Sequence, residues 1–253
     1  MEISTGDGAL HAVAFGAGSR NFLGHGAGPA GWELWLSPLE RLSASGWRAA
    51  SFDHRGSGSS VFPDDKITAR ALVDDVFRVM DALKFDRCVL GGESMGSVVA
   101  MLAAQRHPER FDGILLCCPP PLVSEGARRL WDGWENDLEG FSRGFIDLGM
   151  PEPDAQHLKT WTLDIFTKGS ARRGHKAMKC LFEAGADAIP KLDQIKVPTV
   201  VVVGEADVIT SPSVNQIVAE GIANATTVTI PGMGHFPTIT RPDKVVEAIL
   251  NHF

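Results

Sequence analysis

Cys88-Val89-Leu90-Gly91-Gly92-Glu93-Ser94-Met95-Gly96-Ser97 is the stretch on which the fold turns. A short apolar run enters it, Gly92-Glu93-Ser94-Met95-Gly96 interrupts the run, and residues 97–105 leave it as an almost wholly apolar helix that His107-Pro108 ends. Strand, G-x-S-x-G, helix is the arrangement that holds a serine in a strained backbone conformation and lifts its hydroxyl above a sheet. Gly92 and Gly96 are small because larger side chains would collide with the neighbouring strand and helix. The bare pattern arises often by chance in a chain with 27 Gly; the strand before it and the helix after it give it weight.

Working outward, β-branched runs alternate with helical periodicity, the signature of a mostly parallel sheet covered on both faces. Residues 10–15 and 21–23 are weak strand candidates, and 48–52, 88–90, 114–118, 199–203 and 226–230 are stronger ones. Leu72, Val73, Val76, Val79, Met80 and Leu83 recur at three- and four-residue steps and predict one apolar helix face. Pro242 starts a last helix whose expected inner face is Val245, Val246, Ile249, Leu250 and Phe253. Between these parts, Pro119-Pro120-Pro121 breaks the rhythm. The segment beyond it is helical and aromatic, with Leu130, Trp131, Trp134, Leu138, Phe141, Phe145, Trp161, Phe166 and Phe182, and no strand signal returns until Thr199. Residues 1–119 and 195–253 therefore read as a core domain, and 120–194 as a helical insertion after the sixth strand.

A serine hydroxyl needs a base to take its proton, and the base needs a carboxylate to hold its tautomer. On an elbow of this kind the chain order is serine, acid, histidine. Gly204-Glu205-Ala206-Asp207 follows the 199–203 strand, and Gly232-Met233-Gly234-His235 follows the 226–230 strand. Both stand where a strand's C-terminal end opens into a loop, the edge on which open α/β sheets carry their sites. Asp207 is the candidate acid, with Glu205 its rival, and His235 is the candidate base. His11, His107, His157, His175 and His252 lie in peripheral contexts, and His54 comes too early in the chain. Amides must also stabilise an oxyanion: Met95 N–H at the start of the helix is one. The other comes from Gly24-His25-Gly26-Ala27-Gly28-Pro29, where Ala27 is the choice and Gly26 or Gly28 remain alternatives.

Composition removes other classes. Twenty-four Lys and Arg against 31 Asp and Glu leave a formal charge of −7 in 253 residues, with no basic run beyond Arg128-Arg129 and Arg172-Arg173. Nucleic acid is not the expected partner. No stretch reaches the 18–20 apolar residues of a membrane span, and the N-terminus lacks the basic and apolar regions of a signal peptide. Cys88, Cys117, Cys118 and Cys180 show no C-x-x-C spacing. Buried, reduced thiols in a cytoplasmic protein are the expectation, without a zinc site. The absence of Tyr excludes any mechanism that needs a phenol.

Taken together, the His25-Gly26 loop, Asp53-His54-Arg55-Gly56-Ser57-Gly58-Ser59, the Ser94 elbow and the Asp207 and His235 loops resemble the α/β-hydrolase fold superfamily over the whole chain. The likeness is to its capped members: carboxylesterases, lactonases and carbon–carbon bond hydrolases. The resemblance implies an α/β fold with a helical cap at 120–194, and a structural role for 53–59. It implies cofactor-free hydrolysis of a small ester or lactone by Ser94, Asp207 and His235, in a monomer or homodimer. Ser94, where epoxide hydrolases and haloalkane dehalogenases carry Asp, argues against those two. By analogy, His25, Trp131, Trp134, Phe141, Phe145, Trp161 and Phe236 are candidate pocket residues, although aromatics at helical spacing also build a helical layer's own core. Arg128, Arg129, Arg172 and Arg173 are candidates to meet a substrate carboxylate, as a carbon–carbon hydrolase requires, against a simple solvated face. Thr240 departs from the pattern, since many relatives carry Glu there. Cleavage of a vinylogous diketone or perhydrolase chemistry on the same triad stands as the alternative within enzymes, and a weakly hydrolytic ligand receptor as the one outside them.

Overall fold

The computed structural model describes residues 1–120, 125–184 and 189–253, without the side chains of 125–128, 130, 131 and 171. Pro121 and the side chains of Arg128, Leu130 and Trp131 therefore lie outside the described residues. Eight strands form one sheet: β1 (Glu2–Ser4), β2 (Ala9–Phe15), β3 (Arg20–His25), β4 (Trp47–Phe52), β5 (Cys88–Glu93), β6 (Phe111–Cys117), β7 (Thr199–Gly204) and β8 (Ala225–Ile230). Their order is β1-β2-β4-β3-β5-β6-β7-β8, with β1 and β2 antiparallel to their neighbours and every later pair parallel. The central strands are near-continuous apolar runs because both of their faces are covered: Val89, Leu90, Ile114, Leu115, Leu116, Val201 and Val202 are all buried.

Helices α1 (Leu36–Ala44), α2 (Ala69–Leu83) and α3 (Met95–Arg106) connect the first strands. The periodic face of α2 is buried as its spacing predicts, and the hydroxyl of Thr68 caps its first turn by accepting from Ala71 N–H at 3.2 Å. Between β6 and β7 the described chain holds no strand. It runs through α4 (Glu125–Asn136), α5 (Leu138–Gly149), α6 (Lys159–Thr167) and α7 (Gly174–Glu183), with α4 packed on α5 and α7, and α5 on α6. The chain closes with α8 (Pro212–Gly221), the single turn α9 (Pro237–Thr240) and α10 (Pro242–His252). Around the sheet, α1 packs on α10 as one couple and α2 packs on α3 as another.

Three sequence expectations change. β1, with Ile3 as its one buried residue, is too short to show a period and was not anticipated. The α3 helix begins at Met95, directly after the serine, two residues before the expected start. On α10 the buried stripe runs through Val245, Val246, Ala248 and Ile249, so Leu250 falls on its margin and is 40% exposed. Cys88, Cys117 and Cys118 are buried free thiols and Cys180 is half-buried. No helix among the described residues is long and apolar enough to cross a membrane.

Candidate active site

β5 ends at Glu93 and α3 begins at Met95, leaving Ser94 alone in the turn with φ 49° and ψ −115°. That is a left-handed backbone that a side chain rarely adopts, and it is held in place from two sides. Ser94 N–H donates to Cys117 O on β6 at 2.8 Å, and Ser97 Oγ donates to Gly92 O at 2.9 Å. The flanking glycines are obligatory for space: a Cβ on Gly92 would stand 2.3 Å from Gly96 O, and one on Gly96 would stand 2.5 Å from His25 O. The strain on Ser94 is thus built into the crossing of β5, α3 and the loop after β3.

The loops after β7 and β8 bring Asp207 and His235 together, both buried, with Oδ2 and Nδ1 2.8 Å apart. Asp207 is held in turn: Ile209 N–H and Thr210 N–H donate to its Oδ1 at 2.8 and 3.0 Å, and Thr210 Oγ1 donates to Oδ2 at 2.8 Å. Burial opposes its charge, but the His235 ring and the Thr210 donors outweigh burial and bring the carboxyl down to about 2. Burial likewise opposes a charged His235; Asp207 wins again and, with help from Glu93, raises the imidazole above its ordinary value. With Nδ1 committed to Asp207, the other ring nitrogen, Nε2, has no partner among the described residues. Glu205, the rival acid, instead accepts Gly232 N–H at 3.0 Å from an exposed position.

Ser94 and His235 line one cavity together with Ala27, Gly28, Glu93, Trp134, Phe145, Phe166, Met178 and Phe236. It holds about 280 Å³ of space between atoms, of which only about 10 Å³ admits the centre of a water molecule. That is room for roughly one water. Four aromatic rings close it: Trp134 and Phe145 meet edge to face at 5.1 Å, and Phe166 and Phe236 at 5.9 Å. A larger hollow, with about 550 Å³ open to water centres against about 10 Å³ at the serine, lies between α2 and α3 beside Arg70 and Gln105, with neither the serine nor the histidine in its wall.

Of the expected pocket residues, Trp134, Phe145 and Phe236 line this cavity. Phe141 and Trp161 do not. Phe141 packs edge-on behind Trp134 at 5.5 Å, and Trp161 is half-buried in the helical layer, where both serve packing. His25 is also absent from it: its ring is fully buried, stacked on His54 at 5.3 Å, with Nδ1–H donating to Gly26 O at 2.8 Å. Burial, and then His54, push its pKa down to about 3, so it stays neutral and shapes the 25–28 loop from beneath. Trp131 lies outside the described side chains. Ala27 lines the cavity, and Met95, as the first residue of α3, has an amide with no acceptor inside the helix. None of the described arginines reaches the cavity. Arg129 and Arg172 are exposed, and Arg173 pairs with Asp64 at 3.1 Å. The 53–59 segment is held by its own bonds: Asp53 accepts from Trp32 N–H and Ser59 N–H, and buried Arg55 grips Asp75 and Asp7.

Glu93, Phe166 and Met178 were not anticipated in the cavity. Glu93 is the variable residue of the elbow, and nothing in its sequence neighbours announces a buried carboxyl. A second unexpected carboxylate, Glu152, follows α5 and is 2% exposed. Its Oε1 accepts Gly234 N–H at 3.1 Å and the Thr240 hydroxyl at 2.7 Å, while Gly149 O accepts His235 N–H at 2.7 Å. Thr240, where the resemblance leads one to expect Glu, thus donates to a carboxylate that comes from between β6 and β7. Among the described residues, the one set of metal-ligating atoms close together is Cys118, Asp207 and His235, within 4.8 Å of one another. Two of these already bond each other, which suits a proton relay better than a metal.

The chain resembles known proteins over nearly its whole length. The alpha/beta hydrolase family matches residues 22–248. A candidate carbamate hydrolase, RutD, of Caulobacter sp. is 26% identical across 99% of this chain and 97% of its own length. The 3-oxoadipate enol-lactonase 1 of Acinetobacter baylyi is 24% identical, covering 85% of this chain and 81% of its own. An esterase from Exiguobacterium antarcticum superposes with a TM-score of 0.89 at 19% identity, covering 99% of this chain and 97% of that one. At such identity the superposition speaks for the fold.

Proposed function

The chain belongs to the alpha/beta hydrolase family, and on that premise we propose that it hydrolyses carboxylic esters, lactones included, through an acyl-enzyme on Ser94. The observation that carries the reading is the pairing of a strained serine with an Asp207–His235 couple at 2.8 Å, serine and histidine facing one apolar cavity. Ser94 Oγ attacks the carbonyl carbon while His235 Nε2 takes its proton. Asp207 holds the ring and stabilises its charged form. The oxyanion sits between the amides of Met95 and Ala27. His235 returns the proton to the departing alcohol, then activates the water that frees the acid and restores Ser94.

Relatives named as esterases and enol-lactonases support the bond type. The cavity supports a compact hydrophobic acyl group: beside Ser94, His235 and the buried Glu93 its walls are aromatic rings, Met178 and small loop residues, and no lysine or arginine stands among them. Residues 120–194 act as a cap, since Trp134, Phe145, Phe166 and Met178 come from α4 to α7 and roof the serine. The test is intact mass after a fluorophosphonate probe on wild type and Ser94→Ala. A single adduct mapped to Ser94 and lost in the variant is expected. A folded wild type that takes no adduct would refute the activated serine.

A further inference from the structure

The cavity contains a group that the ester reaction does not use. Glu93 is 1% exposed, lines the cavity beside Ser94, and has no lysine or arginine paired with it among the described residues. Its Oε2 accepts a hydrogen bond from Thr238 Oγ1 on α9. The titratable groups facing it are His235 from the loop after β8, Asp207 from the loop after β7, and the buried thiols Cys117 and Cys118 at the end of β6. A carboxylate entering this space would lose its water, find no lysine or arginine, and meet a second carboxyl beside His235.

Resting on the hydrolase reading above, we propose that Glu93 determines specificity: it admits uncharged acyl groups to the cavity and rejects acyl groups that carry a carboxylate. Burial pushes the Glu93 carboxyl up to about 7, against the pull of Thr238 and His235. The rejection therefore strengthens as pH rises through neutrality and Glu93 loses its proton. Two charges about 7 Å apart at an effective dielectric of about 20 give on the order of a fiftyfold effect.

The experiment measures inhibition of 4-nitrophenyl acetate hydrolysis by butylboronic acid and by 3-carboxypropylboronic acid. Both form the same adduct on Ser94 and differ in a terminal methyl against a carboxylate. The ratio of their inhibition constants, followed from pH 5.5 to 8.5, cancels the ionisation of boron that both share; the pull of charged His235 on the carboxylate does not cancel, and the Glu93→Gln variant, which keeps His235, reads it separately. The wild-type ratio in favour of butylboronic acid is expected to rise by on the order of fiftyfold across that range. Glu93→Gln reduces the rise to the smaller part owed to His235. Should that variant misfold, Thr238→Val keeps the test alive: without the hydroxyl that favours ionised Glu93, the midpoint moves to higher pH. A flat wild-type ratio, or an unchanged rise in Glu93→Gln, overturns the role of Glu93 and leaves the triad standing. No inhibition by either acid, together with no fluorophosphonate adduct, overturns the hydrolase reading as well.

Discussion

Replacing Gly96 by alanine sets two local effects against each other. Alanine favours a helix interior by up to about 1 kcal/mol over glycine. Its Cβ, however, would stand 2.5 Å from His25 O and 2.6 Å from Gly26 O, where ordinary contact begins near 3.4 Å. The 25–28 loop would have to retreat by roughly 0.9 Å, and overpacking of this kind costs about 1–3 kcal/mol. The net destabilisation is about 0–3 kcal/mol, a fall in Tm of at most roughly 12 °C for a chain of this size. Activity should suffer far more. The Ala27 amide travels with the loop, and misplacing one oxyanion donor costs about 10²–10³-fold in kcat. Because that donor engages the transition state more than the bound ester, KM should move little. Steady-state kinetics on 4-nitrophenyl acetate, beside a thermal melt, separate the two effects. A folded Gly96→Ala protein with wild-type kcat, or one whose loss falls wholly on KM, would refute the assignment of this loop to the oxyanion.

Two further outcomes rest on the same geometry. His235 must be neutral to act as base, and its pKa is raised, so kcat/KM for an uncharged ester should climb with pH to a midpoint above the ordinary 6.5. Asp207, held at about 2, stays ionised throughout and adds no limb above pH 4; a flat or falling profile would remove His235 from the mechanism. Trp134→Ala deletes a cavity wall that is 2% exposed and hydrogen-bonded to Ser142 Oγ at 3.0 Å, so it should cost about 3–5 kcal/mol in a melt. The same change should raise octanoyl over butanoyl kcat/KM at least about tenfold, and an unchanged chain-length preference would take Trp134 out of the acyl wall.

The features legible in the chain itself are those set by periodicity and order. The α2 face and the elbow are local patterns, and local patterns are written in the chain; Asp207 and His235 were found by the order of the strands that they follow, β7 and β8, which pair side by side. Residues 21–23, a weak signal, became a central strand because β4 and β5 cover both of its edges. The cavity walls were read less well. Phe166 and Met178 line the serine's cavity because of how α6 and α7 pack against their neighbouring helices, and helical spacing does not record that packing. Phe141 and Trp161 have the same spacing and face inward to their own layer. His25 stands in the expected loop, but its ring turns down onto His54, a direction that the backbone of β3 sets. Glu93 and Glu152 were hidden for a related reason: a buried carboxyl is identified by its partners, and those lie 145 and 88 residues away at Thr238 and Thr240.

The clasp formed by Gly149 and Glu152 bears on how far this protein could be reshaped by recombination. The segment between β6 and β7 looks like an exchangeable module, the part to swap when a different substrate range is wanted. Yet it carries the carbonyl that fixes His235 N–H and the carboxylate that fixes Gly234 N–H and Thr240. A chimera that imports another chain's helices would discard the Glu152 carboxylate, and would have to place a carbonyl where Gly149 O now holds His235 N–H, while changing the cavity walls. Turnover and selectivity are therefore inherited together here. A graft that keeps Gly149 and Glu152 while changing the rest of the segment would be the way to part them.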